Sequence, residues 1–581
     1  MAKKGDWVQI HSIVLRPGER AAGVPEDTAK APLEMWVKGY LVSDAAMGDN
    51  AEVITRTGRR SSGVLVDEAP YFDHGFGVLI PEVLKISDMV REITFGGGCD
   101  ECDRLYENVS EAHLRDRKSY GAVMARKNEI MRSAVGMDYS KFESGSIAFD
   151  YEGMMAATGY TLDEIMRIQL MFSVGNTPLI ELKNLTTLAR KLAPKGKGAR
   201  IFIKDEACNP SGSFKARRSA TSVYQAKKQG YKGVIAATSG NYGAAVASHA
   251  AMAGLKCIVV QECYDSHGVG QPEIIEKARK CEALGAEVIQ LTVGPELFYM
   301  FLILLEETGY FNASLYTPFG IAGIETLGCE IANQFRERVG RDPDAVVCTN
   351  AGGGNLTGTA RGLRKAGCGA RIIGASVNLK GLHMASDEQF NKKSFTTGHT
   401  GFGIPFATNP DRSDVPRSAG RPMRYMDRYV TVTQGNVFYI TEALASLEGL
   451  EKGPAGNTAL AAAFRIAQDM DEDQCIVVQE TEYTGAGKHI NPQLTFARNN
   501  GIEVRFGNPR EEVPGKNIIL PEHPGLIDVV DVDLDHMRRS LIRNAIDANG
   551  GKYNDNDIDY LAEETGADRP YVLAAIENLG R

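Results

Sequence analysis

The sequence predicts an α/β protein in three successive parts: a small β-barrel, a large core of parallel sheets arranged in two lobes, and a short helical tail. Three observations predict this. Between Gly233 and Gln479 six apolar strand-like runs alternate with helical stretches, the first 97 residues hold only short β-rich runs, and after Pro514 the chain turns charged and amphipathic.

The barrel, residues 1–97, is read from Trp7 to Leu15, Leu33 to Val42, Ala51 to Thr55 and Gly63 to Val66, with Thr57-Gly58 turning the chain between the last two. Closure would hide the edges that such short strands expose. Both tryptophans, Trp7 and Trp36, lie here, as core aromatics or as a ligand-stacking surface. Residues 98–119 read as a linker, after Gly96-Gly97-Gly98 and through the charged run from Asp100 to Lys118. Its Cys99-Asp100-Glu101-Cys102 has no matching second pair, so no metal is expected. In the core, residues 120–515, the strands are Gly233 to Ala237, Lys256 to Gln261, Ala286 to Leu291, Ala345 to Thr349, Arg371 to Ser376 and Gln474 to Gln479. The tail, 516–581, holds Val532 to Ala548, Asp555 to Glu564 and Asp568 to Gly580 as amphipathic helices.

Composition bounds what the chain can do. At 581 residues, with 43% hydrophobic and 24% charged residues, it is globular and too long for one ordinary core. A net charge of -9 argues against nucleic acid as a partner, because phosphate-backbone binding draws on a basic surface. Ten cysteines are scattered without a framework, and no N-terminal stretch has a signal peptide's apolar core or a membrane span's length. A soluble, reduced, cytoplasmic protein without a membrane partner is expected.

Three stretches carry the chemistry. In Asn209-Pro210-Ser211-Gly212-Ser213-Phe214-Lys215-Ala216-Arg217-Arg218, Pro210 and Gly212 break the chain after a short strand, and Lys215 opens an Ala-rich helical run to Gln225. A lysine presented in this way can have its ammonium pKa lowered by desolvation and by Arg217 and Arg218, as a Schiff-base amine requires; a surface lysine is the plain alternative. Ala237-Thr238-Ser239-Gly240-Asn241-Tyr242-Gly243 follows an apolar run and opens another helix, an order that collects anionic groups. Asn350-Ala351-Gly352-Gly353-Gly354-Asn355 follows a strand, and its three glycines let backbone amides close around a phosphate.

In that order, the three stretches resemble the fold-type II pyridoxal-phosphate enzymes, the threonine synthase and cysteine synthase group, with the two-lobed core of tryptophan synthase beta. The resemblance implies that Lys215, next to Phe214, holds pyridoxal 5'-phosphate as a Schiff base. It implies that Gly352, Gly353, Gly354 and Asn355 hold the phosphate, and that Asn241 meets the ring hydroxyl. Thr238, Ser239, Gly240 and Tyr242 would take the substrate, its carboxylate at the first three. Val174-Gly175-Asn176-Thr177-Pro178-Leu179 matches the usual entry to this core. Tyr483-Thr484-Gly485-Ala486-Gly487 looks like the loop facing the pyridine nitrogen, with Thr484 as its partner and Glu480 and Glu482 close in sequence.

Met1 to His11 and Pro32 to Gly39 resemble the small alpha subunit of the 2-amino-4-oxopentanoate thiolases; from Ala125-Arg126-Lys127-Asn128-Glu129-Ile130 onward the chain resembles their large beta subunit. The departure from that pattern is the joining of two subunits in one chain. The reaction so implied is cleavage of 2-amino-4-oxopentanoate by coenzyme A to acetyl-CoA and D-alanine in ornithine degradation, by an expected homodimer. For thiol deprotonation His267, His383, His399 and His489 are candidates, and Cys208 could carry an acetyl group. Arg412, Arg417, Arg421, Arg424 and Arg428 could bind the phosphates of coenzyme A or pair with Asp411, Asp414 and Asp427. Two other readings compete: a β-elimination or β-replacement lyase or synthase using the same cofactor, and a β-domain that serves assembly alone.

Overall fold

A computed structural model describes residues 1–70, 80–95, 118–238, 240–380, 382–396, 403–411, 414–483 and 490–579. The chain forms two compact units: Met1–Gly136 with Val223–Ser314 and Ala385–Asn391, and Met137–Ser222 with Leu315–Met384 and Lys392–Arg581.

The first unit holds one sheet of eight strands. Strands β1 (Trp7–Leu15), β2 (Leu33–Leu41), β3 (Asn50–Ile54) and β4 (Arg60–Asp67) are followed later in the chain by β7 (Gly233–Ala237), β8 (Lys256–Tyr264), β9 (Glu287–Thr292) and β10 (Phe311–Asn312). β1 pairs with β2 and β4, β4 with β3, and β3 with β2, all antiparallel, so the first four strands close into the expected small barrel. One strand serves twice: Tyr40 and Leu41 of β2 pair with β3, while Met35, Trp36 and Val37 pair with Leu291, Gln290 and Ile289 of β9. The barrel is thereby joined edge-on to the parallel strands β9, β8, β7 and β10. Alternation explains the join, because Val8, Ile10, Val37 and Leu65 share one apolar core with Ile258, Val260, Ile289 and Leu291. Buried polar ties reinforce it: Arg20 donates to both carboxylate oxygens of Glu296 at 2.8 and 3.1 Å, and Thr55 and Arg59 donate to Glu287. Helix α1 (Pro81–Phe95) follows the barrel.

The second unit holds a seven-stranded sheet made of β5 (Leu179–Glu181), β6 (Arg200–Asp205), β11 (Ala345–Thr349), β12 (Arg371–Val377), β13 (Arg428–Val432), β14 (Cys475–Glu480) and β17 (Val530–Asp531). Their order across the sheet is β17-β13-β12-β11-β14-β6-β5. The five central strands are parallel and buried along almost their whole length, as expected of strands covered on both faces. A separate parallel pair, β15 (Glu503–Gly507) and β16 (Asn517–Pro521), has no counterpart among the strands expected from the sequence. Helices that matter below are α2 (Lys215–Lys228), α3 (Asn241–Ala253), α4 (Pro318–Val339), α5 (Gly354–Lys365) and α6 (Pro454–Ala467). The tail forms α7 (Leu534–Ala548), α8 (Asp555–Thr565) and α9 (Arg569–Glu577), each capped by an acidic or amide side chain. Among the described residues no helix is long and apolar enough to cross a membrane.

Candidate active site

The lysine turn belongs to the second unit. β6 ends at Asp205, and the chain reverses through Ser211 and Gly212, both at positive φ (51° and 77°), before Lys215 opens α2. The turn is stitched to the chain leaving β14: Phe214 N–H donates to the Thr481 carbonyl at 3.0 Å, Tyr483 N–H to the Gly212 carbonyl at 2.9 Å, and Ser213 bridges Glu482. Phe214 is buried, and the Lys215 ammonium lies 5.6 Å from its ring centre. Lys215 itself is half-buried.

Beneath the turn lies a buried ion network that no local sequence pattern announces. Arg217 donates from Nε and from one terminal nitrogen to Glu206 at 2.7 and 2.8 Å, and from both terminal nitrogens to Glu330 at 2.8 Å each. Lys204 donates to Glu330 at 2.9 Å, and Asn209 ties the start of the turn to Glu206. Burial opposes the charge of Arg217, but its two carboxylates outweigh burial and raise its pKa. Burial likewise raises Glu330, yet Arg217 and Lys204 pull it down to about 2. The expectation that Arg217 acts as a bare charge on Lys215 is therefore corrected: its guanidinium is neutralised by two carboxylates and holds the turn instead. Arg218 lies 6.0 Å from the ring centres of Phe214 and Tyr316.

The glycine loop lies in the same unit. A Cβ on Gly352 would overlap the Tyr316 hydroxyl; on Gly353, at φ 82°, it would come within 2.6 Å of Pro422; on Gly354 it would meet the Arg218 guanidinium at 2.5 Å. A side chain at any of the three would force a neighbour to move, and the start of α5 that the glycines keep open lies beside a guanidinium. Asn355 donates to the Thr349 carbonyl at 3.2 Å, while its Oδ1 and both amide atoms of Asn350 have no hydrogen-bond partner among the described residues. The amides at the start of α5, the Arg218 guanidinium and the Asn350 amide nitrogen are donors of the kind a phosphate takes, and Arg218 follows Lys215 by one helical turn.

The third stretch lies in the first unit. Thr238 follows β7, its N–H donating to the Val260 carbonyl at 2.9 Å, and Gly240 N–H donates to the Thr238 hydroxyl at 3.1 Å. Asn241 opens α3 and is buried, with no partner for its Nδ2 among the described residues; Tyr242 beside it is fully buried. A Cβ on Gly243 would come within 2.7 Å of Val259, so the helix start lies close on β8. Ser239 and Thr484 lie outside the described residues, as do His399, His489, Arg412, Cys99 and Cys102. Glu480, by contrast, is fully buried against Gly456 of α6 with both carboxylate oxygens unpartnered among the described residues. Burial, with Asp205 adding to it, raises its pKa well above the ordinary carboxylate range.

Other candidates resolve differently. Arg417 and Arg421 pair with Asp411, Arg421 and Arg424 with Glu564, and Arg428 with Asp531. Arg421 and Arg424 fasten their loop to the tail through Glu564, and of the aspartates expected as partners Asp411 pairs with Arg417 and Arg421. Cys208 donates to Asp205 at 3.3 Å, and burial together with that carboxylate pushes its thiol pKa up, opposite to what a nucleophile needs. Trp7 is buried edge-on to Tyr40; Trp36 is half-buried between His11 and Tyr264.

Residues 170–481 match the family described as pyridoxal-phosphate dependent enzyme, and residues 1–94 match the AKP thiolase subunit OrtA. The beta subunit of 2-amino-4-ketopentanoate thiolase from Acetoanaerobium sticklandii is 74% identical over 463 residues, covering 79% of this chain and 98% of that subunit. The alpha subunit from the same organism is 60% identical over 101 residues, 17% of this chain and 100% of that subunit. Among solved structures, O-ureido-L-serine synthase is 21% identical with a TM-score of 0.43, covering 56% of this chain and 94% of that one.

Proposed function

We propose that this chain, which belongs to the pyridoxal-phosphate-dependent family of the 2-amino-4-ketopentanoate thiolases, carries the work of both thiolase subunits in one cytoplasmic polypeptide. It cleaves 2-amino-4-oxopentanoate with coenzyme A to acetyl-CoA and alanine, of D configuration by family resemblance. The observation that carries this reading is coverage: one chain matches the whole of an alpha subunit and nearly the whole of a beta subunit, in that order. A lyase using the same cofactor would have no use for the first match.

The thiolate adds to the C4 carbonyl, the C3–C4 bond breaks, and its electron pair is left on C3, which takes a proton to become the methyl group of alanine. Pyridoxal phosphate, when bound, supplies the electron sink for that pair through the amino nitrogen. Lys215 is the group that holds the cofactor, removes the proton at C2 and returns one there. Gly352, Gly353, Gly354, Asn355 and Arg218 hold the phosphate against the start of α5. Asn241 meets the ring hydroxyl, Thr484 the pyridine nitrogen, and Thr238, Ser239 and Gly240 the substrate carboxylate, with Tyr242 beside them. Acetyl-CoA formation that requires both substrates, one acetyl-CoA per alanine, tests the reading; release of ammonia without coenzyme A would favour the lyase.

A further inference from the structure

Polar side chains of the barrel and of its short helix Glu26–Lys30 reach the rest of the first unit in two ways. Arg20, Lys38, Thr55 and Arg59 end on carboxylates of the frame, at Glu296, Glu282 and Glu287. Asp27 and Thr28 end instead on a loop. The buried Thr28 hydroxyl donates to the Ala385 carbonyl at 2.6 Å and accepts from the Asp387 amide at 2.9 Å. One Asp27 oxygen accepts from the Ser386 hydroxyl at 2.5 Å and from the Glu388 amide at 3.0 Å. Two adjacent side chains thus bind four consecutive residues in alternation, and they fix the path of a stretch that lies in no helix or strand. Burial opposes the charge of Asp27, but Ser386 and the Glu388 amide hold its pKa below the ordinary carboxylate value.

The clamp continues into a second loop. The two Asp387 oxygens accept from the Ser266 amide and hydroxyl at 2.7 Å each, and Asn391 donates to Asp265 and to the Val269 carbonyl at 2.9 Å each. Residues 265–271 leave the carboxyl end of β8, and Trp36 of the barrel packs edge-on against Tyr264 at their root. The neighbouring parallel strand β7 delivers Thr238 and Gly240, the expected carboxylate contacts, to the same edge of the sheet. Ligands of parallel sheets are taken at that edge. Coenzyme A must reach a substrate seated after β7, and 265–271 is the loop beside it. We propose that Asp27 and Thr28 are positioning residues for thiolysis, holding loop 265–271 through residues 385–391 so that it forms the coenzyme A side of the substrate loop. This rests on the thiolase reading above, and it gives the alpha-subunit-like part a task that a lyase lacks.

Thr28→Val keeps the shape of the side chain and removes its hydroxyl, Thr28→Ser keeps the hydroxyl, and Asp27→Ala acts at a half-buried position where folding is less at stake. In the full-length holoenzyme, amide hydrogen exchange over residues 385–391 should quicken about tenfold in Thr28→Val and Asp27→Ala and stay within about threefold of wild type in Thr28→Ser. The KM for coenzyme A should rise about tenfold in the first two, while the KM for 2-amino-4-oxopentanoate and solvent exchange of its C2 proton without coenzyme A stay within about twofold. Unchanged amide exchange would overturn the clamp. Faster amide exchange with an unchanged KM for coenzyme A, or with C2 exchange and both KM values impaired alike, would overturn the positioning role. A wild type that forms no acetyl-CoA would sink the thiolase reading and the coenzyme A role with it, whereas the amide exchange would still decide the clamp.

Discussion

Arg217 Nε donates to Glu206 Oε2 at 2.7 Å directly beneath the turn that presents Lys215, and the same guanidinium reaches Glu330 at 2.8 Å from α4. Because Arg217 is the cation that both carboxylates share, Arg217→Met leaves Glu206 buried without a cation and Glu330 with Lys204 alone. The expected cost is about 3–5 kcal/mol in urea unfolding. Arg217→Lys should recover only part of it, since an ammonium cannot make two forked contacts.

The same network predicts an acid limit to stability. Glu330 has a folded pKa of about 2, below its ordinary 4.5, so its charge contributes stability above pH 4.5 that is lost as the pH falls toward 2. At most about 3 kcal/mol is involved, since a tenfold change in proton affinity corresponds to about 1.4 kcal/mol. Glu330→Gln should be less stable than the wild type at pH 7, and the difference should shrink as acid is added. A difference that stays constant between about pH 6 and pH 3 would show that Glu330 does not titrate in this way.

Lys215 should be the one site of covalent attachment. The purified protein is expected to be yellow, and borohydride should fix the cofactor onto the peptide containing Lys215. Lys215→Ala should abolish turnover while the glycine loop and Arg218 still retain cofactor reversibly. Label on any other lysine contradicts the site.

The shared strand β2 predicts that barrel and parallel sheet unfold together. Arg20→Met strands Glu296, which is fully buried, at a cost of about 3–5 kcal/mol. Tryptophan emission, which reports the barrel through Trp7 and its join to the parallel strands through Trp36, should shift its midpoint together with far-ultraviolet circular dichroism. Two separated transitions would mean that the barrel is an independent domain.

Cys208→Ala should keep wild-type acetyl-CoA production to within about threefold, because the thiol is held protonated beside Asp205. A loss of a hundredfold or more would restore the acetyl-cysteine route.

What the sequence made legible was local. The four barrel strands, the lysine turn and the glycine loop each announce themselves within about ten residues, through alternation or through Pro and Gly at positions that only they tolerate. What it concealed was pairing at a distance. Nothing near Met35 to Val37 marks β9 as their neighbour some 250 residues on, because an apolar strand is compatible with any edge. Arg217 and Glu330 are joined across 113 residues, and for the arginines of 417–428 the sequence leaves phosphate binding and acidic pairing both open without marking Glu564 as the partner of Arg421 and Arg424. Charge patterns in one dimension show supply and not partner.

Handling of the C2 proton by Lys215, followed by cleavage of the C3–C4 bond, is tested most directly by turnover of unlabelled 2-amino-4-oxopentanoate and coenzyme A in deuterated water, with both products counted and the alanine analysed by NMR. One acetyl-CoA per alanine, with deuterium at both the α-carbon and the methyl group, is the predicted result. Ammonia and a keto acid in place of acetyl-CoA would contradict it.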